Sequence, residues 1–251
     1  MLKQLRRRLL RHKTQGLIGA DLERRRPDFD PEFAPLFDAC RSATMTSVER
    51  LYALYKAVEY IIGAGIEGDF VECGVWRGGS LMMMALALQH FGQEGRRLHA
   101  FDTFSGMPPP SSRDVRHETG ETAAALLARS PRDEGTAIWA LAAIDTVRAN
   151  MEATGYPPEL ISFHVGMVES TLPAEAPERV ALLRLDTDWY ESTKHELVHL
   201  YPRLAPGGVL IIDDYGYFRG ARQATDEFFA EHGALLLNRI DESGRIAVKP
   251  G

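Results

Sequence analysis

Residues 182–215 read LLRLDTDWYESTKHELVHLYPRLAPGGVLIIDDY, with two apolar runs that each end in a pair of acids. The first run ends at Asp186 and Asp188, and the second ends at Asp213 and Asp214. The segment between them has the length and pattern of a helix, as expected for parallel strands joined by a crossover. The carboxyl ends of such strands lie side by side, where open α/β sheets bind ligands. The stretch therefore predicts four clustered carboxylates at one edge of a parallel sheet.

These four acids need a positive partner, because crowded carboxylates repel one another and raise one another's pKa. The simplest partner is a hard cation such as Mg²⁺, which prefers oxygen ligands. A single acid at a strand end often does no more than face solvent. Matched D-x-D and D-D pairs on two strand ends favour a functional site instead.

The composition is that of a globular protein with a sizeable core. The chain has 251 residues, 45% of them apolar and 25% charged, with a net charge of −6. That charge, without basic and aromatic residues interleaved, argues against a nucleic-acid binder. The two cysteines, Cys40 and Cys73, form no disulfide or metal pattern, so we expect a reducing, cytoplasmic location. No apolar run reaches the roughly 18 residues of a membrane span, and no signal peptide is recognisable.

Upstream of the acidic strands, the chain predicts the first units of a nucleotide-type α/β fold. A strand, DFVECGV, begins at Asp69 and leads through the turn WRGGS into the helical run LMMMALALQ. A second strand, LHAFDTF, ends near Asp102 and Thr103, and a third, LISFHVG, follows later. At the C-terminus, ALLLNRI and RIAVKP, joined by DESG, predict an antiparallel hairpin.

Several segments between the strands are also interpretable. Residues 106–135 are rich in proline, serine and charge, and we predict that they form an active-site lid, where His117 could approach a substrate. Helices are predicted over Ala123–Arg129 and Thr136–Thr154. Residues 21–43 contain three prolines and predict an irregular arm. The basic residues 1–13 fit either a solvated terminus or an amphipathic helix that touches a membrane or an acidic partner.

The glycine turn suggests which ligand the sheet edge binds. Its spacing is not the G-x-G-x-x-G of dinucleotide-binding proteins, and the acid Glu72 stands two residues before Gly74. A carboxylate there would repel a pyrophosphate but could receive a cationic amino-acid group. Asp102, at the end of the second strand, is placed to accept hydrogen bonds from ribose hydroxyls. Together these features favour S-adenosylmethionine.

The segments GDFVECGVWRGGS, FDTFSGMP, LLRLDTDWYEST and GGVLIIDDY resemble motifs of the macrocin O-methyltransferase (TylF/MycF/NovP-type) family. The resemblance runs from about Met45 to Phe229. It implies a Rossmann-like class I methyltransferase fold, with a mostly parallel seven-stranded sheet, helices on both faces and a C-terminal antiparallel hairpin. Residues 44–251 would then form the methyltransferase domain, preceded by the basic segment and arm of residues 1–43.

The same resemblance implies a reaction and a set of site residues. The reaction is the Mg²⁺-dependent transfer of a methyl group from S-adenosylmethionine to a sugar hydroxyl of a small glycosylated natural product, carried out by a homo-oligomer. Asp188 would be the general base. The implied metal ligands are Asp186, Asp213 and Asp214. The implied cofactor-binding residues are Thr46, Ser47, Glu72, Gly74, Asp102 and Thr103.

Three other functions remain open at this point. A catechol O-methyltransferase would also use Mg²⁺ and paired hydroxyls, so the acids do not exclude a catechol acceptor. A cofactor-binding module without catalysis would bind S-adenosylmethionine while its carboxylates do no chemistry, although the complete set of acids argues against it. An NAD-dependent oxidoreductase is disfavoured because the glycine turn has the wrong spacing.

Overall fold

A computed structural model describes residues 28–251 of the chain. Its centre is a seven-stranded sheet with the spatial order β3-β2-β1-β4-β5-β7-β6. The strands are β1 (Asp69–Cys73), β2 (Leu98–Asp102), β3 (Ile161–Val165), β4 (Val180–Leu185), β5 (Leu204–Ile212), β6 (Asn238–Arg239) and β7 (Arg245–Val248). The helices are α1 (Phe33–Cys40), α2 (Val48–Gly63), α3 (Gly79–His90), α4 (Ala123–Arg129), α5 (Ile144–Thr154), α6 (Val168–Thr171), α7 (Tyr190–Leu200) and α8 (Arg219–His232).

Strands β1 to β5 are parallel, while β7 pairs antiparallel with both β5 and β6. The register aligns the carboxyl ends: Cys73 pairs with Phe101 and Leu185, and Leu185 pairs with Ile212. The residues that follow these strand ends therefore emerge along one edge. The predicted seven-stranded, mostly parallel sheet with antiparallel C-terminal strands is confirmed.

Two apolar cores cover the two faces of the sheet, because successive strand residues point to opposite sides. Phe70 and Leu182 belong to the core under α1, α2, α3 and α5, whereas Val71 and Leu183 belong to the core under α7 and α8. Strands buried on both faces have continuous apolar sequences, and this is why β4 and β5 could be predicted from the sequence.

The arm before the domain differs from its prediction. The three prolines predicted irregular chain over residues 21–43, but Phe33–Cys40 is a helix. Pro35 is its third residue, where the backbone N–H would have no partner within the helix, so proline costs little there. Phe33 and Cys40 are buried in the core, so this helix packs against the sheet.

Two further elements are shorter than predicted. The predicted helix Thr136–Thr154 begins only at Ile144, because residues 137–139 make a single 3₁₀ turn and Ala140 takes a φ of +43°. In the C-terminal hairpin, only Asn238–Arg239 of the predicted strand ALLLNRI pairs with β7. The leucines before it had suggested a longer strand.

The predicted basic N-terminal segment lies outside the described residues. Within residues 28–251, we find no helix with the length and hydropathy required to span a bilayer.

Candidate active site

A cavity of about 500 Å³ opens at the carboxyl edge of the sheet. Its walls come from the glycine turn after β1, the ends of β2, β4 and β5, the loop after β3, and the chain before α2. This is the volume range of a small-molecule site. Gly106, Met107 and Pro108, at the start of the predicted lid, line it as well.

Three acids of the opening stretch converge at this edge. Carboxylate oxygens of Asp186, Asp213 and Asp214 lie within 4.8 Å of one another. Mg²⁺ holds its oxygen ligands at about 2.0–2.1 Å, so opposite ligands lie roughly 4 Å apart. The buried Oδ2 of Asp214 has no hydrogen-bond partner among the described residues. An all-oxygen donor set with an orphaned buried carboxylate oxygen fits a hard divalent cation.

The structure also supplies positive partners that the sequence reading missed. Arg184, only 3% exposed, contacts Glu72 and Asp186 at 2.7 Å through Nη1 and Asp213 at 2.6 Å through Nη2. Arg50, from the first turn of α2, contacts the other oxygen of Asp213. The signal for Arg184 was present, because an arginine inside an apolar strand must find acids when the strand is buried.

Even so, negative charge is in excess at this edge. Burial raises the pKa of the Asp186, Asp188 and Asp214 carboxyls well above their usual range. Repulsion from neighbouring acids adds to the shift: Asp213 acts on Asp186, Asp186 on Asp188, and Asp188 on Asp214. The guanidinium groups of Arg50 and Arg184 therefore do not neutralise all of these carboxylates. A bound cation would lower the pKa values of the carboxyls.

Glu72 is the acid placed for a cationic ligand group. It is 1% exposed, its Oε1 accepts from Arg184, and its Oε2 has no partner among the described residues. Burial, only partly offset by Arg184, raises its pKa to about 7. Glu72 lines the cavity together with Thr46, which lies in the chain just before α2. An ammonium group in the cavity would meet an acceptor that the protein itself leaves unpaired.

Gly74 allows β1 and β4 to approach closely at the cavity floor. Its φ is +82°, and a Cβ built there would lie 1.9 Å from the carbonyl oxygen of Asp186. Only glycine fits such a position. The glycine therefore sets the spacing between the turn and the D-x-D segment.

Asp102 and Thr103 line the cavity but have structural partners already. The Asp102 carboxylate accepts the backbone N–H groups of Val75 at 2.6 Å, Trp76 at 3.1 Å and Phe104 at 2.7 Å. The Thr103 hydroxyl donates to the Gly106 carbonyl at 2.7 Å. Asp102 therefore holds the glycine turn against β2, and any bond to ribose would use its remaining lone pairs.

Ser47, a predicted cofactor residue, has structural partners on α2 and in the β6–β7 turn. Its hydroxyl accepts from the Arg50 backbone N–H at 3.1 Å, which caps α2, and donates to Asp241 at 2.5 Å. It is not among the residues that line the cavity, whereas Thr46 is. Ser47 thus stabilises the helix and its contact with the β6–β7 turn.

Hydrogen bonds join the predicted lid to the start of α7. Buried Asp114 accepts the Tyr190 backbone N–H at 2.7 Å, and the Trp189 indole donates to the Pro108 carbonyl at 3.0 Å. His117 is exposed and is not among the residues that line the cavity, so its approach to substrate stays a prediction. Tyr217, which is 40% exposed, stands at the cavity instead.

Comparison with known proteins gives a consistent set of relatives. The profile of the family described as macrocin-O-methyltransferase (TylF) matches residues 19–247. The 8-demethyl-8-(2,3-dimethoxy-alpha-L-rhamnosyl)-tetracenomycin-C 4'-O-methyltransferase of Streptomyces olivaceus is 36% identical over 219 residues, which are 87% of this chain and 80% of that enzyme. The mycinamicin III 3''-O-methyltransferase of Micromonospora griseorubida is 32% identical over 202 residues, 80% of this chain and 76% of that enzyme. The solved structure of the O-methyltransferase NovP superposes with a TM-score of 0.71 at 31% identity and 83% coverage of both chains.

Proposed function

The chain belongs to the macrocin O-methyltransferase (TylF) family and is an S-adenosylmethionine-dependent O-methyltransferase, and on this premise we propose that it methylates a sugar hydroxyl of a glycosylated natural product with the help of Mg²⁺. The name of one relative specifies a rhamnosyl-substituted tetracenomycin, which motivates the sugar acceptor. The observation that carries the proposal is the acid cluster. Asp186, Asp213 and Asp214 meet in the cavity that also contains the unpaired oxygen of Glu72.

The cofactor would lie along the glycine turn, with its methionine ammonium group on Glu72. Glu72 lines the cavity, its Oε1 accepts from Arg184, and its Oε2 has no hydrogen-bond partner among the described residues. Arg184 joins this acid to Asp186 and Asp213. The cofactor end and the acceptor end of the cavity are therefore joined through one buried side chain.

A sugar hydroxyl is a weak nucleophile because its pKa is far above neutrality. Asp186, Asp213 and Asp214 would hold Mg²⁺, which when bound would lower the pKa of a coordinated hydroxyl and orient it. Asp188 lines the same cavity and would accept the hydroxyl proton as the oxygen attacks the methyl group. Met107, Pro108 and Phe218 would exclude water from the reacting atoms.

The proposal is tested by methyl transfer to a panel of acceptors. Purified protein with S-adenosylmethionine is offered deoxysugar glycosides that carry neighbouring hydroxyls and, in parallel, simple catechols. We expect mass spectrometry to detect the gain of one methyl group on glycosides, with loss of product when Mg²⁺ is chelated. Product on catechols alone would replace the sugar acceptor with a catechol, and full activity in chelator would remove the metal.

A further inference from the structure

The backbone at Asp188 is strained. Its φ is +65°, and the Trp189 backbone N–H donates to the Thr187 carbonyl at 2.7 Å. A hydrogen bond between residues two apart, around a central residue of positive φ, defines a tight three-residue γ-turn that is rare for a residue with a Cβ. Such strain persists only where neighbouring contacts enforce it, and it concentrates at functional sites.

Contacts on both sides of Asp188 enforce this turn. On one side, the Thr187 hydroxyl donates to Glu196 Oε1 at 2.8 Å. On the other side, the ring of Trp189, which is 3% exposed, packs against Phe218 with ring centroids 4.9 Å apart. The strained residue is therefore held between two fixed neighbours.

The contact with Glu196 is unexpected, because a glutamate is rarely buried in an apolar core. Glu196 lies on α7 with no exposed surface, its Oε2 has no partner among the described residues, and burial raises its pKa well above the usual range. Its helical neighbours Leu197 and Leu200 fill the same core with apolar atoms. Burying a half-satisfied carboxyl costs free energy that a leucine or alanine would not. Stability alone therefore does not explain a glutamate at this position.

We propose that Glu196 is a positioning residue, which acts through Thr187 to hold Asp188 in the orientation that proton transfer needs. The inference rests on the proposed function, in which Asp188 is the base. Thr187 lines the cavity but Glu196 does not, so Glu196 touches neither substrate nor cofactor. The hydrogen bond from the Thr187 hydroxyl links Glu196 to the strained turn at Asp188.

Four variants test the contact: Glu196→Ala, Glu196→Gln, Thr187→Val and the double variant Glu196→Ala/Thr187→Val. A misplaced reacting group can lower a rate by about 10²-fold, so we expect a kcat loss of roughly ten- to a hundredfold for Glu196→Ala and Thr187→Val. The KM for the acceptor and the affinity for S-adenosylhomocysteine should stay within about twofold. The double variant should be no worse than the poorer single variant, because both remove the same hydrogen bond.

Glu196→Gln separates positioning from charge, since its side-chain carbonyl can still accept from Thr187. It should recover most of the kcat that Glu196→Ala loses. Glu231→Ala, which removes an exposed glutamate from the neighbouring helix α8, is the control and should behave as wild type. Thermal melting and S-adenosylhomocysteine binding identify any variant that fails to fold, and Thr187→Val tests the contact even if Glu196→Ala fails.

The outcomes also separate this inference from the proposed function. Wild-type kcat in folded Thr187→Val and Glu196→Ala overturns the positioning role while leaving Asp188 as the base. Additive losses in the double variant overturn it too. A folded Asp188→Asn with wild-type kcat would instead remove the base and the proposed mechanism. In an Asp188→Asn background, Glu196→Ala should cause no further loss.

Discussion

At the scale of single residues, Glu72 is a cavity acid whose raised pKa lies near neutrality. Its pKa of about 7 lies above the value of 4.5 for an unburied glutamate. The folded protein therefore holds this proton more tightly than the unfolded chain does. The associated stability is fully present below about pH 4.5 and is lost as the pH rises through about 7. Binding of an ammonium group requires the ionised form and should release the proton.

The first prediction follows from the release of the Glu72 proton when the ligand binds. The affinity for S-adenosylhomocysteine should rise between pH 6 and 7.5, by at most about tenfold per pH unit below the pKa of Glu72. Glu72→Gln should bind more weakly and should lose most of this pH dependence. Calorimetry in buffers of different ionisation enthalpy measures both the affinity and the protons released. A wild-type pH profile in Glu72→Gln would exclude Glu72 as the ammonium acceptor.

The acids and the glutamate were predictable because their order in the sequence follows the order of the strand ends. The contacts of Arg184 were not predicted, although an arginine inside a buried apolar strand indicates acidic partners. The roles of Ser47 and Asp102 were not predictable, because their partners are Asp241 and backbone N–H groups that only the folded chain brings near. Glu196 looked like any surface glutamate on a helix.

Among the structural elements, the glycine turn fixes the geometry between cofactor and carboxylates. Gly74 and Gly155 both adopt positive φ, +82° and +72°, but only Gly74 meets other atoms at its Cβ position. Gly155 ends α5, and nothing lies within 4 Å of its Cβ position. Comparing an alanine at each position therefore separates the cost of backbone strain from the cost of a steric clash.

The second prediction uses this pair. Gly155→Ala should lower the free energy of unfolding by about 1–2 kcal/mol, the cost of a left-handed conformation for alanine. Gly74→Ala should cost more than that and should also abolish S-adenosylhomocysteine binding, because the turn must move away from Asp186. Urea unfolding and calorimetry provide the two measurements. Equal destabilisation with intact binding in Gly74→Ala would contradict the close approach.

Element types followed from apolar periodicity and element ends from capping residues, but neither predicted every boundary. Pro35 suggested irregular chain, yet proline is tolerated in the first turn of a helix. The leucines before β6 suggested a strand, yet Leu236 is 78% exposed. Local pattern does not specify which apolar residues the tertiary fold leaves outside.

At the scale of the whole molecule, a cation bound to the acid cluster should increase the free energy of unfolding. The parallel sheet was predictable because matched acids, crossover helices and the family motifs all require parallel strands. The balance of charge at the carboxyl edge of the sheet was not predictable, because it depends on the ion pair between Arg50 of α2 and Asp213.

The third prediction concerns that balance. Mg²⁺ at about one hundred times its dissociation constant should stabilise the protein by about 2.7 kcal/mol, or roughly 5–10 °C in Tm. Asp214→Asn should lose this shift, and its Tm without metal should equal or exceed that of the wild type, because a neutral amide replaces a buried carboxyl that neighbouring acids repel. Asp145→Asn, at an exposed helix position, is the control. A full Mg²⁺ shift in Asp214→Asn would exclude Asp214 as a ligand.

The central claim is that the carboxylates at the ends of β4 and β5 are the reaction centre, and one measurement tests it most directly. Methyl transfer from S-adenosylmethionine to a glycoside acceptor is measured against Mg²⁺ concentration for wild type, Asp186→Asn and Asp188→Asn. We predict that Asp186→Asn needs more Mg²⁺ for half activity, and that Asp188→Asn titrates normally but at a strongly reduced kcat. Wild-type rates in both variants, or a rate independent of Mg²⁺, would contradict the claim.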